Sequence, residues 1–146
     1  MHPKDALESF DAILKLRPHD AETLFNMGVI LQSLGRVADA LVAYEDALRW
    51  SPVHCEALTN RGALLERFGR LDEALACFDA IDTIRPDNSS NLFNKGSVLQ
   101  KLGRHKEALA VYEEAARRGP PDAETELNRG NVLQKARAPR RSARCL

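Results

Sequence analysis

The sequence has no net charge, because 21 lysine and arginine residues balance 21 aspartate and glutamate residues among 146. It lacks the basic surplus that attracts nucleic acid or an anionic membrane surface, so we expect neither as a partner. It also has no run of 18 or more apolar residues, and its first residues, MHPKDALESF, lack the apolar core of a signal peptide. We therefore expect a cytoplasmic protein without a membrane span.

Cysteines are few, at positions 55, 77 and 145, and none forms a CxxC pair. This odd number argues against a disulfide framework or a zinc site. Catalytic motifs are lacking as well, since there is no glycine-rich phosphate loop, no HExxH and no GxSxG. The four histidines fall near the N-terminus, in predicted loops or at a predicted helix start. The sequence thus predicts no enzymatic activity, no cofactor and no metal site.

The dominant feature of the sequence is a repeat of 34 residues. Four columns show it: prolines at 18, 52, 86 and 120, glycines at 28, 62, 96 and 130, alanines at 6, 40, 74 and 108, and aromatics at 10, 44, 78 and 112. No insertion or deletion disturbs the register between residues 6 and 134. So many phased columns indicate a repeat protein.

Each period predicts two helices. The apolar residues of the first segment, 21–34, fall on one helical stripe: Leu24, Met27, Leu31 and Leu34. Gly35 follows this stripe as a residue suited to end a helix. A second apolar stripe covers 37–50 and stops before Pro52, which a helix interior tolerates poorly. The two segments recur at 55–68 and 71–84, and again at 89–102 and 105–118.

Two further columns make local predictions. Asp20, Asn88 and Asp122 precede first helices as N-cap residues, whereas His54 in the same place is a poor cap. The glycines at 28, 62 and 96 lie inside first helices, where each costs about 1 kcal/mol relative to alanine. We expect this cost to be offset by close approach of the second helix at its small alanines, at 40, 74 and 108.

These columns resemble the tetratricopeptide repeat, at its length and in its phase. The matching residues of the first period are Leu24, Gly28, Leu31, Ala40, Tyr44, Ala47 and Pro52. The resemblance covers roughly residues 4–136. The sequence departs from the family pattern in two ways. Leucine replaces the large aromatic residue near the start of each first helix. Arg61, Lys95 and Arg129 stand where the family usually has an apolar residue, as at Met27. The resemblance implies an all-α fold, a right-handed α-solenoid of antiparallel helix pairs whose first helices line a concave groove.

We expect residues 1–136 to form a single solenoid. It would consist of a half repeat over 4–18, full repeats over 21–54, 55–88 and 89–122, and a half repeat over 123–136. The remaining residues, 137–146, contain four arginines and no acid. They have no apolar periodicity and predict a disordered basic tail.

The groove that the resemblance implies carries three columns of interest. The first is asparagine in all four first helices, at Asn26, Asn60, Asn94 and Asn128. A carboxamide can bond a peptide N–H and C=O together, although these side chains could instead bond a neighbouring helix. The second column is basic, at Arg67, Lys101 and Lys135, and would favour acidic partner residues or simply face solvent. The third offers apolar contacts at Phe25 and Phe93.

We therefore predict a protein-interaction module that binds an extended peptide through the asparagine column. Two alternatives stay open. The unpaired terminal helices could join copies into a homo-oligomeric scaffold, with side chains such as Leu7, Phe10 and Leu14 partly uncovered. The runs NMGVILQSLGR, NRGALLERFGR and NKGSVLQKLGR also resemble the repeat arm of O-linked N-acetylglucosamine transferases, which implies a substrate-recruiting arm without its catalytic domain.

Overall fold

The computed structural model describes residues 2–119 and shows seven α-helices and no β-strand within that range. The helices are α1 Pro3–Leu16, α2 Ala21–Ser33, α3 Val37–Trp50, α4 Cys55–Arg67, α5 Leu71–Ile84, α6 Ser89–Lys101 and α7 His105–Arg118. The predicted half repeat over 123–136, the tail over 137–146 and the cap candidate Asp122 lie outside the described residues.

The helices pack as consecutive pairs, α2 with α3, α4 with α5 and α6 with α7. The fold is therefore an all-α solenoid of helix pairs, as predicted. By their contacts the described residues divide into two compact units, the first ending at Ile84 and the second beginning at Arg85. In the first unit α1 also packs on α2, and α3 packs on α4. In the second unit the described helices are α6 and α7.

A glycine in the left-handed backbone region ends the first helix of each pair. Gly35, Gly69 and Gly103 have φ of 77°, 76° and 78°. At the first of these turns the Gly35 N–H donates to the Gln32 carbonyl and the Arg36 N–H donates to the Leu31 carbonyl. The other two turns repeat this pair of bonds. Such a turn satisfies carbonyls left open at the helix end and needs a residue without a Cβ.

The structural reason for glycine inside the first helices differs from the one we expected. A Cβ at Gly28 would lie 2.5 Å from Cε1 of Tyr44, and one at Gly62 would lie 2.8 Å from Cζ of Phe78. Gly96 faces the ring of Tyr112 in the same way, at 2.5 Å. The nearest obstacle is thus the buried aromatic of the paired helix and not its alanine. Each glycine gives an aromatic ring direct access to the backbone of the first helix.

The helix starts also differ in part from the prediction. His54 is a functional cap, since its Nδ1 accepts the N–H of Ala57 at 3.2 Å. Asp20 makes no side-chain cap bond and accepts the hydroxyl of Thr23 instead. Asn88 caps α6 as expected, through a bond from the N–H of Asn91 at 3.1 Å.

The N-terminal helix is covered on one side only. Ala6 is its one buried residue, and Leu7, Phe10 and Leu14 are half-buried, which confirms their predicted partial exposure. Further along α1, Ile13 is 39% exposed and Leu16 is 86% exposed. An apolar edge of α1 therefore faces solvent.

Candidate peptide-binding face

Three asparagines lie at the same register in the described first helices, Asn26 in α2, Asn60 in α4 and Asn94 in α6. We call the side of α2 and α4 that carries the first two, within the first unit, the asparagine face, and α6 carries Asn94 at the same register in the second unit. All three side chains are half-buried. All three are thus partly accessible to a partner. Asn128, the fourth of the column, lies outside the described residues.

Asn60 is anchored to the preceding repeat by a short chain of hydrogen bonds. Its Nδ2 donates to the Tyr44 hydroxyl at 3.3 Å, and that hydroxyl donates to Oε1 of Gln32 at 2.8 Å. Burial raises the pKa of Tyr44 above its ordinary value, and the bond from Asn60 lowers it in part. The phenol therefore stays protonated at neutral pH and can donate to Gln32. One N–H and the carbonyl oxygen of Asn60 remain available for another partner.

The aromatic column makes the asparagines unequal. The residue 16 positions before Asn60 is Tyr44, whereas Phe10 and Phe78 hold that place relative to Asn26 and Asn94. Phenylalanine has no hydroxyl, so the bond that anchors Asn60 cannot form at the other two positions. The alternative interpretation, a bond to a neighbouring helix, therefore holds for Asn60 alone among these three. This bond uses one of its two amide hydrogens.

The rings of the two phenylalanines of the predicted site pack in part against other side chains. The ring of Phe25 lies 4.8 Å from that of His54 and 5.9 Å from that of Tyr44, between centroids. It also packs against the cluster of Leu24, Ala47 and Ala57. Phe93 lies 5.9 Å from Tyr112 and is half-buried. Each ring thus packs against side chains of its own unit, and its role in binding stays a prediction.

The basic column lies at the ends of the first helices. Arg67 and Lys101 are exposed and are the last residues of α4 and α6. A cation there interacts favourably with the helix dipole, which gives these residues a structural role without any ligand. Lys135 lies outside the described residues.

A histidine that we did not assign to the site also belongs to this side of the first unit. Since Nδ1 of His54 accepts a backbone N–H, its Nε2 carries the proton and donates to Oε2 of Glu22 at 3.0 Å. Glu22 is one helical turn before Asn26 on α2. The bond ties the start of α4 to the start of α2. The sequence signal for it was weak, a histidine at a cap position.

Within 2–119 no group of three or more His, Cys, Asp or Glu side chains is placed to hold a metal ion. In that part of the chain no helix is long and apolar enough to cross a membrane.

Family models agree with the repeat pattern. One model described as tetratricopeptide repeat matches residues 2–52 and 28–89, and another with the same description matches 89–120. A comparison with curated proteins gave no match.

Solved structures share the fold. A crystal structure of MamA has a TM-score of 0.83 at 18% identity, over 89% of this chain and 76% of that one. MamA 41-end from Desulfovibrio magneticus RS-1 gives 0.84 at 20% identity, over 92% and 76%. YrrB, a TPR protein with an unusual peptide-binding site, gives 0.77 at 24% identity, over 89% and 67%. The resemblance to glycosyltransferase arms stays a prediction beside these matches.

Proposed function

Because the chain belongs to the tetratricopeptide repeat family, whose members generally act as protein-interaction modules, we propose that it binds an extended segment of a partner polypeptide on the asparagine face. The observation that carries the proposal is the recurrence of a half-buried asparagine at one register of α2 and α4, within the first unit. A carboxamide at a fixed register can bond the N–H and C=O of an extended backbone whatever its side chains are. That YrrB has a peptide-binding site supports this function by analogy.

Both asparagines of this face lie in the first unit. Asn60 is oriented by Tyr44, and Asn26 lies on the neighbouring first helix beside Phe25. A net hydrogen bond contributes about 0.5–1.5 kcal/mol, and a buried apolar side chain of the partner adds about 1.5–3 kcal/mol. After the cost of ordering a flexible peptide, a dissociation constant of ~10 µM to ~1 mM is expected.

The test is calorimetry with a peptide selected from a library of short unstructured sequences. Asn26→Ala combined with Asn60→Ala should weaken its binding about tenfold and leave helicity unchanged. Thr83→Ala, an exposed change on α5, is the control and should bind as the wild type does. Equal affinity for the double variant would overturn the proposal, and lost helicity would show that the asparagines are structural.

A second candidate function is self-association through α1. The observation that favours it is the uncovered apolar edge at Ile13 and Leu16. Burying such side chains against another copy would contribute about 1.5–3 kcal/mol each. Light scattering over a hundredfold concentration range should show a rise in mass for the wild type. Ile13→Glu with Leu16→Glu should abolish it, and a wild type that stays monomeric throughout would exclude this function.

A further inference from the structure

One position of the repeat holds a basic residue in the second and third repeats but not in the first. Arg61 in α4 and Lys95 in α6 occupy the place that Met27 occupies in α2. Each of the three repeats keeps a carboxylate 12 residues later, at Asp39, Glu73 and Glu107. The acid is therefore retained in the first repeat although the cation is not.

Arg61 shows what this place can hold. Its side chain is 23% exposed, and Nη2 lies 3.4 Å from Oε1 of Glu45 on α3 and 4.0 Å from Oε2 of Glu73 on α5. Its Nη1 donates to the sulfur of Cys77 at 3.2 Å. The guanidinium thus bridges carboxylates on two different helices. Both Arg70 and, to a lesser extent, Arg61 lower the pKa of Glu73.

The third repeat shows the same relation with a lysine. The pKa of Glu107 is held below its ordinary value mainly by its hydrogen bond from Arg104, with a smaller effect of the charge of Lys95. Lys95 and Glu107 both belong to the second unit, on the paired helices α6 and α7. Two repeats out of the three described therefore bring a positive side chain of their own to this place.

The first repeat has an open groove here. It lies between α1 and α3 above α2, has a volume of about 380 Å³, and we call it the α1–α3 groove. Leu24, Leu31 and Met27 form its apolar floor, and Asp11 and Asp39 stand at its sides. Asp11 and Asp39 are the counterparts of Glu45 and Glu73, each with a side chain one methylene shorter.

The charges at the groove favour an incoming cation. Asp11, Asp39 and Asp46 line it with one base, Arg36, and outside the lining Arg49 lies 3.8 Å from Asp46. Arg36 binds Asp39 at 2.9 Å, just as Arg70 binds Glu73 in the next repeat, and this bond does not prevent Arg61 from approaching there. Asp11 has no partner among the residues that the structure describes.

We propose that the α1–α3 groove binds an arginine side chain of a partner polypeptide, in the place that Arg61 fills within the next repeat. The apolar floor suits the aliphatic stem of arginine, and its planar fork of N–H donors can reach acids on both α1 and α3. A lysine offers only a point charge and bridges them less well. This site uses a different groove from the asparagine face and does not depend on it.

Reciprocal substitutions between the repeats provide the test. The probe is an acetylated and amidated Gly-Arg-Gly peptide, and its binding is followed by shifts of backbone amide signals in NMR. The wild type should show saturable shifts at α1 and α3, including Val42 and Ala43. Met27→Arg supplies the groove with its own cation and should weaken binding about tenfold. Arg61→Met should create a second saturable site whose shifts lie on α3 and α5.

Two controls keep the test decisive. A Gly-citrulline-Gly peptide has the same shape without the charge and should not saturate these signals. Asp11→Asn changes an exposed side chain, leaves the core intact, and should weaken binding about threefold. The proposal is overturned if citrulline binds as well as arginine, or if no shift saturates below about 10 mM peptide. It is also overturned if Met27→Arg or Asp11→Asn binds like the wild type, or if Arg61→Met folds and gains no second site. If Met27→Arg fails to fold, the Asp11→Asn result decides.

Discussion

Gly62→Ala is the substitution whose outcome follows most directly from the packing of the helix pairs. In an ordinary helix interior this change stabilises by about 1 kcal/mol. Here the new Cβ would lie 2.8 Å from Cζ and 2.9 Å from Cε1 of Phe78, and 3.3 Å from Cβ of Cys77. Phe78 is fully buried, so its ring has little room to move away.

Overpacking of this kind costs about 2–3 kcal/mol, which exceeds the gain in helix propensity. We therefore expect Gly62→Ala to lower the free energy of unfolding by about 1–2 kcal/mol. Urea unfolding followed by circular dichroism measures this change. Ala63→Gly, at the neighbouring exposed position, is the matched control and gives the propensity difference in the same helix.

A double-mutant cycle identifies the ring as the cause. Phe78→Leu removes the end of the ring and is destabilising by itself, so the informative quantity is the effect of Gly62→Ala within that background. There the alanine should become neutral or stabilising by up to about 1 kcal/mol. If Gly62→Ala stabilises the wild-type protein, the glycines inside the first helices are not needed to make room for the aromatic rings.

Three further perturbations test other parts of the structure. Gly69→Ala forces a Cβ onto a residue with φ of 76° and should lower the free energy of unfolding by about 1–2 kcal/mol in urea; no change would show that the turn relaxes. Tyr44→Phe removes the hydroxyl between Gln32 and Asn60 and should cost about 1 kcal/mol by the same measurement, whereas an unchanged midpoint would make that chain of bonds irrelevant to stability. Arg104 lowers the pKa of Glu107 in the folded protein. The charged carboxylate therefore stabilises the fold at pH values above the ordinary pKa range of glutamate, and this stabilisation is lost as pH falls through the lowered pKa. Arg104→Gln should therefore reduce the loss of stability between pH 7 and pH 3, and an equal loss in both proteins would contradict this.

The repeat made much of the fold predictable. A fixed period sets the phase of every helix, so the turns at Gly35, Gly69 and Gly103 and the apolar stripes fell where the columns placed them. The same columns do not say which side chain of the paired helix meets which position. For that reason alanine, and not Tyr44, was expected opposite Gly28. Only the three-dimensional arrangement shows that the ring crosses the helix at that point.

The candidate site could be predicted from the sequence to a similar extent. The register of Asn26, Asn60 and Asn94 follows from the sequence alone. The unequal state of these asparagines does not, because the bond from Asn60 depends on a hydroxyl that another column supplies in alternate repeats. Competing local hydrogen bonds also determine which side chains cap the helices. Asp20 accepts a bond from Thr23, and His54 finds the open N–H of Ala57.

We propose that the asparagines bind the backbone of an extended peptide and not its side chains. The most direct measurement is calorimetry that compares a bound peptide with versions in which one amide at a time is replaced by an ester. An ester lacks the N–H, so replacement opposite Asn60 should weaken binding by the wild type about fivefold. In Asn60→Ala the amide and ester peptides should bind equally. Equal binding of every ester peptide to the wild type would contradict the claim.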